Sequence, residues 1–184
     1  MPPDVMHMRL FIALELPEDA RERIARSAAS SERFRNSGRL IPKENYHLTL
    51  AFLGEVPENC LEDIVSAMEA CPSPPLPLTV GAFGRFRQRD GDVIWRRVSG
   101  GNALFSLQRR LCRELERRGF SPEKREYSPH LTVARKAVLR SGPQPEGEEI
   151  PFTADGMTLF RSDTGPNGAA YTPLKRVDFH KEFT

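Results

Sequence analysis

Two histidines of this sequence are each followed, two positions later, by a threonine. The segments YHLTLAFLG and PHLTVAR contain His47 with Thr49 and His130 with Thr132. Each motif offers an imidazole, which titrates near neutral pH, and a hydroxyl, which can donate a hydrogen bond. Because the chain has only four histidines, the recurrence indicates a shared function for the two motifs.

Both motifs lie in predicted β-strands, where side chains alternate between two faces. Residues i and i+2 of a strand share a face, so the histidine and threonine of each motif project together. The intervening aliphatic residues point to the opposite face and are expected in the core: Leu48, Leu50, Leu131 and Val133. Each motif therefore presents one imidazole and one hydroxyl on a strand anchored by apolar neighbours.

Two such motifs facing each other across a cleft could cleave a phosphodiester or a cyclic phosphate. One imidazole would accept a proton from the attacking oxygen, and the other would donate a proton to the leaving oxygen. Each general acid or base typically contributes about 10²–10⁴-fold in rate. The hydroxyls would hold the non-bridging oxygens as charge develops on them.

The elements that position the motifs are arranged similarly in both halves of the chain. Each motif follows a predicted strand and a predicted helix at nearly equal spacing; these elements span residues 9–16, 18–34, 92–98 and 102–118. This order indicates an internal duplication. We therefore predict an α+β fold of two pseudo-symmetric lobes, with mainly antiparallel sheets, helices on the outside and the active-site cleft between the lobes.

The rest of the chain supplies further predicted elements. A helix is expected over 57–70, and strands over 78–86, 152–162 and 169–179. Residues 1–7 are predicted to form a disordered extension, and residues 8–184 a single bilobal domain. The stripe Leu104, Leu107, Leu111 and Leu115 marks the clearest helix.

Composition narrows the class of protein. The net charge of +2 is too small to indicate nucleic-acid binding on its own. The local basic runs are typical of a solvated surface, and phosphate binding is the alternative for them. Three cysteines without CxxC spacing favour reduced thiols in a cytoplasmic protein. There is no apolar segment of membrane-spanning length. We expect a monomer with no membrane association.

A metal site is the main alternative for paired histidines. Two strand histidines could bind zinc, but a catalytic zinc usually has three protein ligands. The sequence has no HExxH motif, no paired aspartates and no Cys/His spacing that would supply the third. We therefore expect no metal and no other cofactor.

The paired HxT motifs resemble those of the two-histidine phosphoesterase superfamily. Within it, the chain is similar to the RNA 2′,3′-cyclic phosphodiesterases, or 2′-5′ RNA ligase-like proteins. The similarity is carried by RLFIALELP, HLTLAFLG, PHLTVAR and LFRSDTGPNGAAYTPL.

The resemblance implies a metal-independent hydrolase that acts on RNA ends or short oligonucleotides bearing a 2′,3′-cyclic phosphate and leaves a 2′-phosphate. It implies that His47 is the proton donor to the departing 3′ oxygen and His130 the proton acceptor from water. Thr49 and Thr132 would bind the phosphate. Because the motifs are symmetric, the direction of the acid–base assignment stays open at this stage.

A third phosphate ligand is implied at Arg135, three residues beyond Thr132. Strand alternation places Arg135 on the opposite face, so it can reach the phosphate only if the strand ends or bulges near Ala134.

Aromatic residues could stack on the terminal base; the candidates are Tyr46, Phe52, Tyr127 and Trp95. In a regular strand Phe52 would point to the face opposite His47 and Thr49, which argues against a role for Phe52 in stacking.

Two other functions remain open from the sequence. The same chemistry run in reverse would join RNA halves through a 2′-5′ linkage. A non-catalytic protein could instead bind RNA ends with the basic runs and the cleft alone. Such a protein would not need a matched acid and base.

Overall fold

The computed structural model describes residues 6–30, 38–138, 146–166 and 168–180. The described strands are β1 (His7–Glu15), β2 (Arg39–Leu40), β3 (His47–Pro57), β4 (Leu76–Phe86), β5 (Asp92–Ser99), β6 (His130–Ala137), β7 (Ile150–Ala154), β8 (Gly156–Gly165) and β9 (Gly168–Asp178). The described α-helices are α1 (Glu18–Ser30), α2 (Leu61–Glu69) and α3 (Gly101–Arg117).

The strands form two antiparallel sheets that are related by the predicted duplication. One sheet has the order β3-β1-β8-β9, and the other has the order β2-β6-β5-β4-β7. Each motif strand lies beside the strand that was predicted to begin its half of the chain: β3 pairs with β1, and β6 pairs with β5. The order β3-β1-β8-β9 thus matches β6-β5-β4-β7, with β2 as an additional edge strand. The predicted α+β fold of two pseudo-symmetric lobes is confirmed.

The apolar faces of the sheets and helices meet in one main core, and a second, smaller cluster contains Phe11, Ala13 and Phe160. The predicted helix stripe is fully buried in α3, at Leu104, Leu107, Leu111 and Leu115. The four aliphatic residues of the motifs are also buried, at Leu48, Leu50, Leu131 and Val133. Burial of each such side chain stabilises the fold by about 1.5–3 kcal/mol, so both motif strands are firmly anchored.

The prediction of one strand over 152–162 is wrong. The chain forms two strands, β7 and β8, which break at Asp155 and belong to different sheets. β7 pairs with β4 in the second lobe, whereas β8 pairs with β1 in the first. The Asp-Gly dipeptide at 155–156 is a turn signal, and it lets the chain cross from one lobe to the other.

Two element boundaries also differ from the prediction. The helix expected over 57–70 opens with a 3₁₀ turn, Glu58–Cys60, and is α-helical only over Leu61–Glu69. β1 begins at His7, and the carbonyl of Met6 accepts a hydrogen bond from the amide of Glu58. The extension predicted to be disordered therefore does not include these two residues. Residues 1–5 and 31–34 of the predicted elements lie outside the described residues.

One residue of the basic runs is buried instead of solvated. Arg96 is fully inaccessible, and its guanidinium donates hydrogen bonds to Ser27 Oγ at 2.9 Å and to the carbonyls of Gly81 and Glu148. It also lies 4.5 Å from the centre of the Phe83 ring. Because a buried charge requires such partners, Arg96 ties α1 and β4 to the segment before β7.

No helix in the described part of the chain combines the length and the apolar character needed to cross a membrane.

Candidate active site

The four motif residues that the sequence singled out line one small cavity between the two sheets. This central cavity has a volume of about 130 Å³ and contains both histidines and both threonines in its wall, together with Ile41, Asn45, Arg135 and Tyr171. The sheets approach each other where β3 and β6 lie side by side. The fold therefore brings the two imidazoles to a shared space, as the strand pattern predicted.

Each imidazole is oriented by a hydrogen bond to the backbone carbonyl two residues before it. His47 Nδ1 lies 2.7 Å from the carbonyl oxygen of Asn45, and His130 Nδ1 lies 2.7 Å from that of Ser128. A carbonyl oxygen only accepts, so each Nδ1 carries a proton. Nε2 is therefore the nitrogen of each ring that can gain or lose a proton, and the backbone contact at Nδ1 determines this choice.

A bulge in β6 moves Arg135 onto the face of the motif. Trp95 pairs with Thr132 but its neighbour Ile94 pairs with Ala134, which leaves Val133 as an extra residue. Val133 and Ala134 are consecutively buried, so the alternation reverses after them. This is the bulge that the sequence required for Arg135 to reach the site, and Arg135 lines the central cavity.

The same bulge occurs in β3 and overturns the expectation for Phe52. Ala13 pairs with Thr49 while Ile12 pairs with Ala51, so Leu50 is the extra residue. Leu50 and Ala51 are both buried, and Phe52 returns to the face of the motif. The parity argument against Phe52 was wrong because it assumed a regular strand. Phe52 occupies the position in the first lobe that Arg135 occupies in the second.

His47 sits in an aromatic environment. Its ring centre is 4.8 Å from that of Phe11, 5.0 Å from Tyr171 and 6.5 Å from Phe160. Burial among these rings lowers the pKa of His47 from 6.5 to about 4, partly offset by the bond to Asn45, and the positive charge of Arg135 lowers it further. His47 is therefore a neutral imidazole at pH 7.

His130 has a different set of neighbours. Its ring centre is 5.1 Å from Phe86 and 5.9 Å from Trp95. The indole packs directly on Gly84, where an added Cβ would lie only 2.1 Å from the ring. Gly84 is therefore required for Trp95 to lie beside His130.

The aromatic candidates from the sequence divide into structural and site residues. Tyr46 is buried in the core, which raises its pKa to about 12. The hydroxyl of Tyr127 donates to the carbonyl oxygen of Thr49 at 3.0 Å and so ties the loop before β6 to the first motif. Phe52 lines a cavity together with His47, and the ring centre of Trp95 lies 5.9 Å from that of His130.

The strand pattern missed several residues that surround His47. Phe11 and Tyr171 come from β1, which lies next to the motif strand, and from β9 at the far edge of the same sheet. Asn45 is two residues before His47, and its side chain donates to the carbonyl oxygen of Ala169 at 3.0 Å. All three residues lie outside the motif strands, and Phe11 and Tyr171 could be found only from the strand order.

Two larger cavities flank the central one. The first, here the Arg9 cavity, has a volume of about 420 Å³ and contains His47, Phe52 and Arg9 in its wall. The second, the Arg87 cavity, has a volume of about 560 Å³ and contains His130 and Arg87 in its wall. Each histidine thus opens onto a different side of the site.

In the described part of the chain, no three His, Cys, Asp or Glu side chains are grouped closely enough to hold a metal ion. The ionisable and hydroxyl groups at the centre of the site include the two imidazoles, the two threonine hydroxyls and the Arg135 guanidinium.

Comparison with known proteins identifies the family of this chain. The sequence profile of the 2′-5′ RNA ligase superfamily matches residues 16–166. The chain belongs to this superfamily. Among superfamily relatives, the RNA 2′,3′-cyclic phosphodiesterase of Methanocaldococcus jannaschii is 32% identical over 178 residues, covering 91% of this chain and 99% of that protein.

Two further relatives carry the same name. The Escherichia coli protein is 31% identical and the match covers 91% of this chain and 94% of the relative. The Geobacillus stearothermophilus protein is 36% identical over 83% of this chain, but the chain spans only 52% of that relative's length.

Solved structures show the same superfamily fold. The crystal structure of Escherichia coli LigT complexed with 3′-AMP has a TM-score of 0.80 and 30% identity, covering 95% of this chain and 99% of LigT. A protein of Thermus thermophilus has a TM-score of 0.82 and 27% identity, covering 96% of this chain and 100% of its own.

Proposed function

We propose that this protein hydrolyses RNA 2′,3′-cyclic phosphate ends to 2′-phosphomonoesters by metal-independent acid–base catalysis. The observation that carries the proposal is the meeting of His47 and His130, each with its threonine, in one cavity of about 130 Å³. The names of the relatives and the 3′-AMP complex of LigT support the choice of substrate. The same activity is expected on short oligonucleotides with a cyclic phosphate end.

In the proposed reaction, a water molecule attacks phosphorus while His130 Nε2 accepts its proton. The bond between phosphorus and O3′ breaks, and His47 Nε2 donates its proton to O3′. The phosphate stays on O2′, His47 becomes neutral and His130 becomes charged. Exchange of one proton with solvent then restores the starting state, so atoms and charges balance.

The lowered pKa of His47 sets a condition on this assignment. A group with a pKa of about 4 in the free site is a poor donor at pH 7 because little of it is protonated. A bound phosphate carries negative charge, and an opposite charge within contact distance raises the pKa of an imidazole. We propose that substrate binding itself loads the proton on His47, so that the acid forms only when the phosphate is in place.

The remaining polar groups would stabilise the transition state. The hydroxyls of Thr49 and Thr132 approach the central cavity from opposite lobes, and Arg135 reaches it through the β6 bulge. Donors of this kind act where charge accumulates on the non-bridging oxygens. The guanidinium adds a full positive charge, which strengthens its hydrogen bonds to phosphate.

Reversible 2′-5′ joining of RNA halves is a second candidate, favoured by the Arg87 cavity. In hydrolysis the side of His130 has to admit only water, yet this cavity has a volume of about 560 Å³. It is large enough for a nucleoside whose 5′ hydroxyl would replace the water. The chemistry at phosphorus would be unchanged.

The test is incubation of an oligonucleotide with a 2′,3′-cyclic phosphate end in excess EDTA, followed by identification of the product. We expect a 2′-phosphate. The doubly substituted protein His47→Gln/His130→Gln, purified in parallel, controls for contaminating nucleases. Adding an RNA half with a free 5′ hydroxyl tests the second candidate, since a 2′-5′ linked product would appear.

No turnover, or turnover only after a metal ion is added, would contradict the proposal. A 3′-phosphate product would show that O2′ leaves instead of O3′, so O2′ would have to be the oxygen that receives a proton from His47. Tight binding of the RNA end without any product would favour a non-catalytic binding protein.

A further inference from the structure

Three arginines from three different strands converge on the Arg9 cavity. Arg9 lies on β1, Arg39 on β2 and Arg135 on β6, and all three line the cavity wall. Only Arg135 also lines the central cavity with the two histidines. Arg9 and Arg39 thus lie farther from the reacting phosphate, and the proposed reaction does not use them.

Arg39 and Arg135 are placed directly opposite each other. They are register partners in the antiparallel pair of β2 and β6, so their side chains share a face. Like charges directly opposite in a sheet are destabilising. An anion bound between them would remove this repulsion.

The positions of Arg9 and Arg39 are held by specific contacts. The Arg9 guanidinium lies 4.7 Å from the centre of the Phe52 ring. Phe52 itself reaches the site because of the β3 bulge. The Arg39 guanidinium lies over the backbone of Gly168, where a Cβ would be 2.3 Å from its Nη2. Gly168 has a φ of 108°, so glycine serves both the turn and the contact.

No acidic side chain in the described part of the chain pairs with these arginines. Among the residues that the structure describes, no carboxylate lines the Arg9 cavity. None of the same described carboxylates is within ion-pair distance of Arg9, Arg39 or Arg135, although Glu55 is the register partner of Arg9. The Arg87 cavity differs, because Glu123 and Glu126 line it beside three arginines.

We infer that Arg9 and Arg39 form a second phosphate subsite, which binds the 5′-phosphate of the nucleotide that carries the cyclic phosphate. The inference rests on the proposed function, in which His47 protonates O3′. The ribose must then lie on the His47 side of the reacting phosphate, and that side opens into the Arg9 cavity. The 5′-phosphate is attached at the far end of the same ribose. The subsite would favour RNA ends over cyclic mononucleotides that lack this phosphate.

Binding of two product analogues tests this without requiring turnover. Adenosine 2′-monophosphate and adenosine 2′,5′-bisphosphate differ only in the 5′-phosphate, and their Kd values are measured by calorimetry at one fixed ionic strength. We expect the bisphosphate to bind wild-type protein about 10- to 100-fold more tightly, as for hydrogen bonds between charged groups. In Arg9→Gln/Arg39→Gln the ratio should fall to about 1–2.

Arg87→Gln is the matched control, since Arg87 is an exposed arginine that lines the cavity on the other side of the site. It should leave the ratio at its wild-type value. Circular dichroism of each variant verifies the fold, and single substitutions of the two arginines replace the double one if it does not fold.

Equal Kd values for the two analogues in wild-type protein would overturn the subsite. So would a ratio that survives Arg9→Gln/Arg39→Gln, or one that is lost in Arg87→Gln instead, which would put the ribose on the His130 side. A protein that binds the analogues with the expected ratios but does not turn over a cyclic phosphate would retain the subsite and refute the proposed hydrolysis.

Discussion

The two motif strands share a backbone design but differ in their side-chain surroundings. In both strands the histidine Nδ1 is bound by a carbonyl two residues earlier, at Asn45 and Ser128. In both, an extra residue comes directly after the threonine, at Leu50 and Val133. The symmetry is therefore one of main-chain geometry, and it delivers two imidazoles in matching orientations to one cavity.

The neighbours of the two motifs have diverged. Opposite Thr49 stands the small Ala13, whereas opposite Thr132 stands the large Trp95, which is itself paired with Gly84. The residue that returns to the site after the bulge is Phe52 in the first lobe and Arg135 in the second.

In the proposed reaction His130 gains a proton from water and His47 gives its own proton to O3′, so the two imidazoles have opposite roles. The duplicated backbone brings both imidazoles to one cavity. The side chains that bury His47 and lower its pKa come from other strands, so the position of this imidazole and its pKa depend on different parts of the sequence.

The largest expected effect is on turnover when either imidazole is removed. His47→Gln and His130→Gln should each lower kcat for a 2′,3′-cyclic phosphate by about 10²–10⁴-fold, because each removes one proton-transfer group. Steady-state kinetics with a folding check by circular dichroism measures this. If one variant kept near-full rate, the two lobes would not both contribute to the chemistry.

The burial of His47 predicts a dependence of stability on pH. The unfolded chain takes up a proton on this imidazole near pH 6.5, but the folded protein does so only near pH 4. The free energy of unfolding should therefore fall as pH is lowered from about 6.5 to 4, by at most about 3 kcal/mol from this group.

Urea unfolding of the wild type and of His47→Gln at pH 7 and pH 4 isolates this contribution. The free energy of unfolding should fall less between the two pH values in the variant, by the amount that His47 contributes. Equal pH dependence in wild type and His47→Gln would show that the aromatic cluster does not disfavour the charged ring.

Phe11→Ser, which admits water beside the ring, should move the pKa of His47 towards 6.5. An NMR titration of the imidazole tests this directly.

The two residues after the bulges should differ in phosphate binding. Arg135→Gln removes a charged donor from the central cavity and should weaken the binding of inorganic phosphate by about tenfold or more. Phe52→Leu, at the equivalent position of the first lobe, should change it by less than about twofold because no charge is lost. A similar loss in both variants would mean that the bulges, not the guanidinium, govern phosphate affinity.

Much of this architecture could be predicted because it depends on local periodicity. The alternation around His47 and His130 identified the faces of the motif strands, and the leucine stripe identified α3. The recurrence of strand, helix and motif indicated the two lobes. These signals lie within single elements, where side-chain spacing determines which face is buried.

The features that could not be predicted depend on how elements pair. Whether Leu50 or Val133 is an extra residue is decided by register with the neighbouring strand, so the return of Phe52 to the site was missed. Phe11 and Tyr171 reach His47 only through the strand order. The Asp155 break separates two strands of different sheets, although an apolar run continues on both sides of it.

The most direct test of the central claim replaces the 3′ oxygen of the cyclic phosphate by sulfur. A thiolate leaves without needing a proton, since thiols are far more acidic than alcohols. On this substrate His47→Gln should recover most of the rate that it loses with oxygen, while His130→Gln should remain slow because water must still be deprotonated. Recovery in His130→Gln alone would exchange the roles of the two imidazoles. Recovery in neither variant would contradict proton transfer to the leaving group by either histidine.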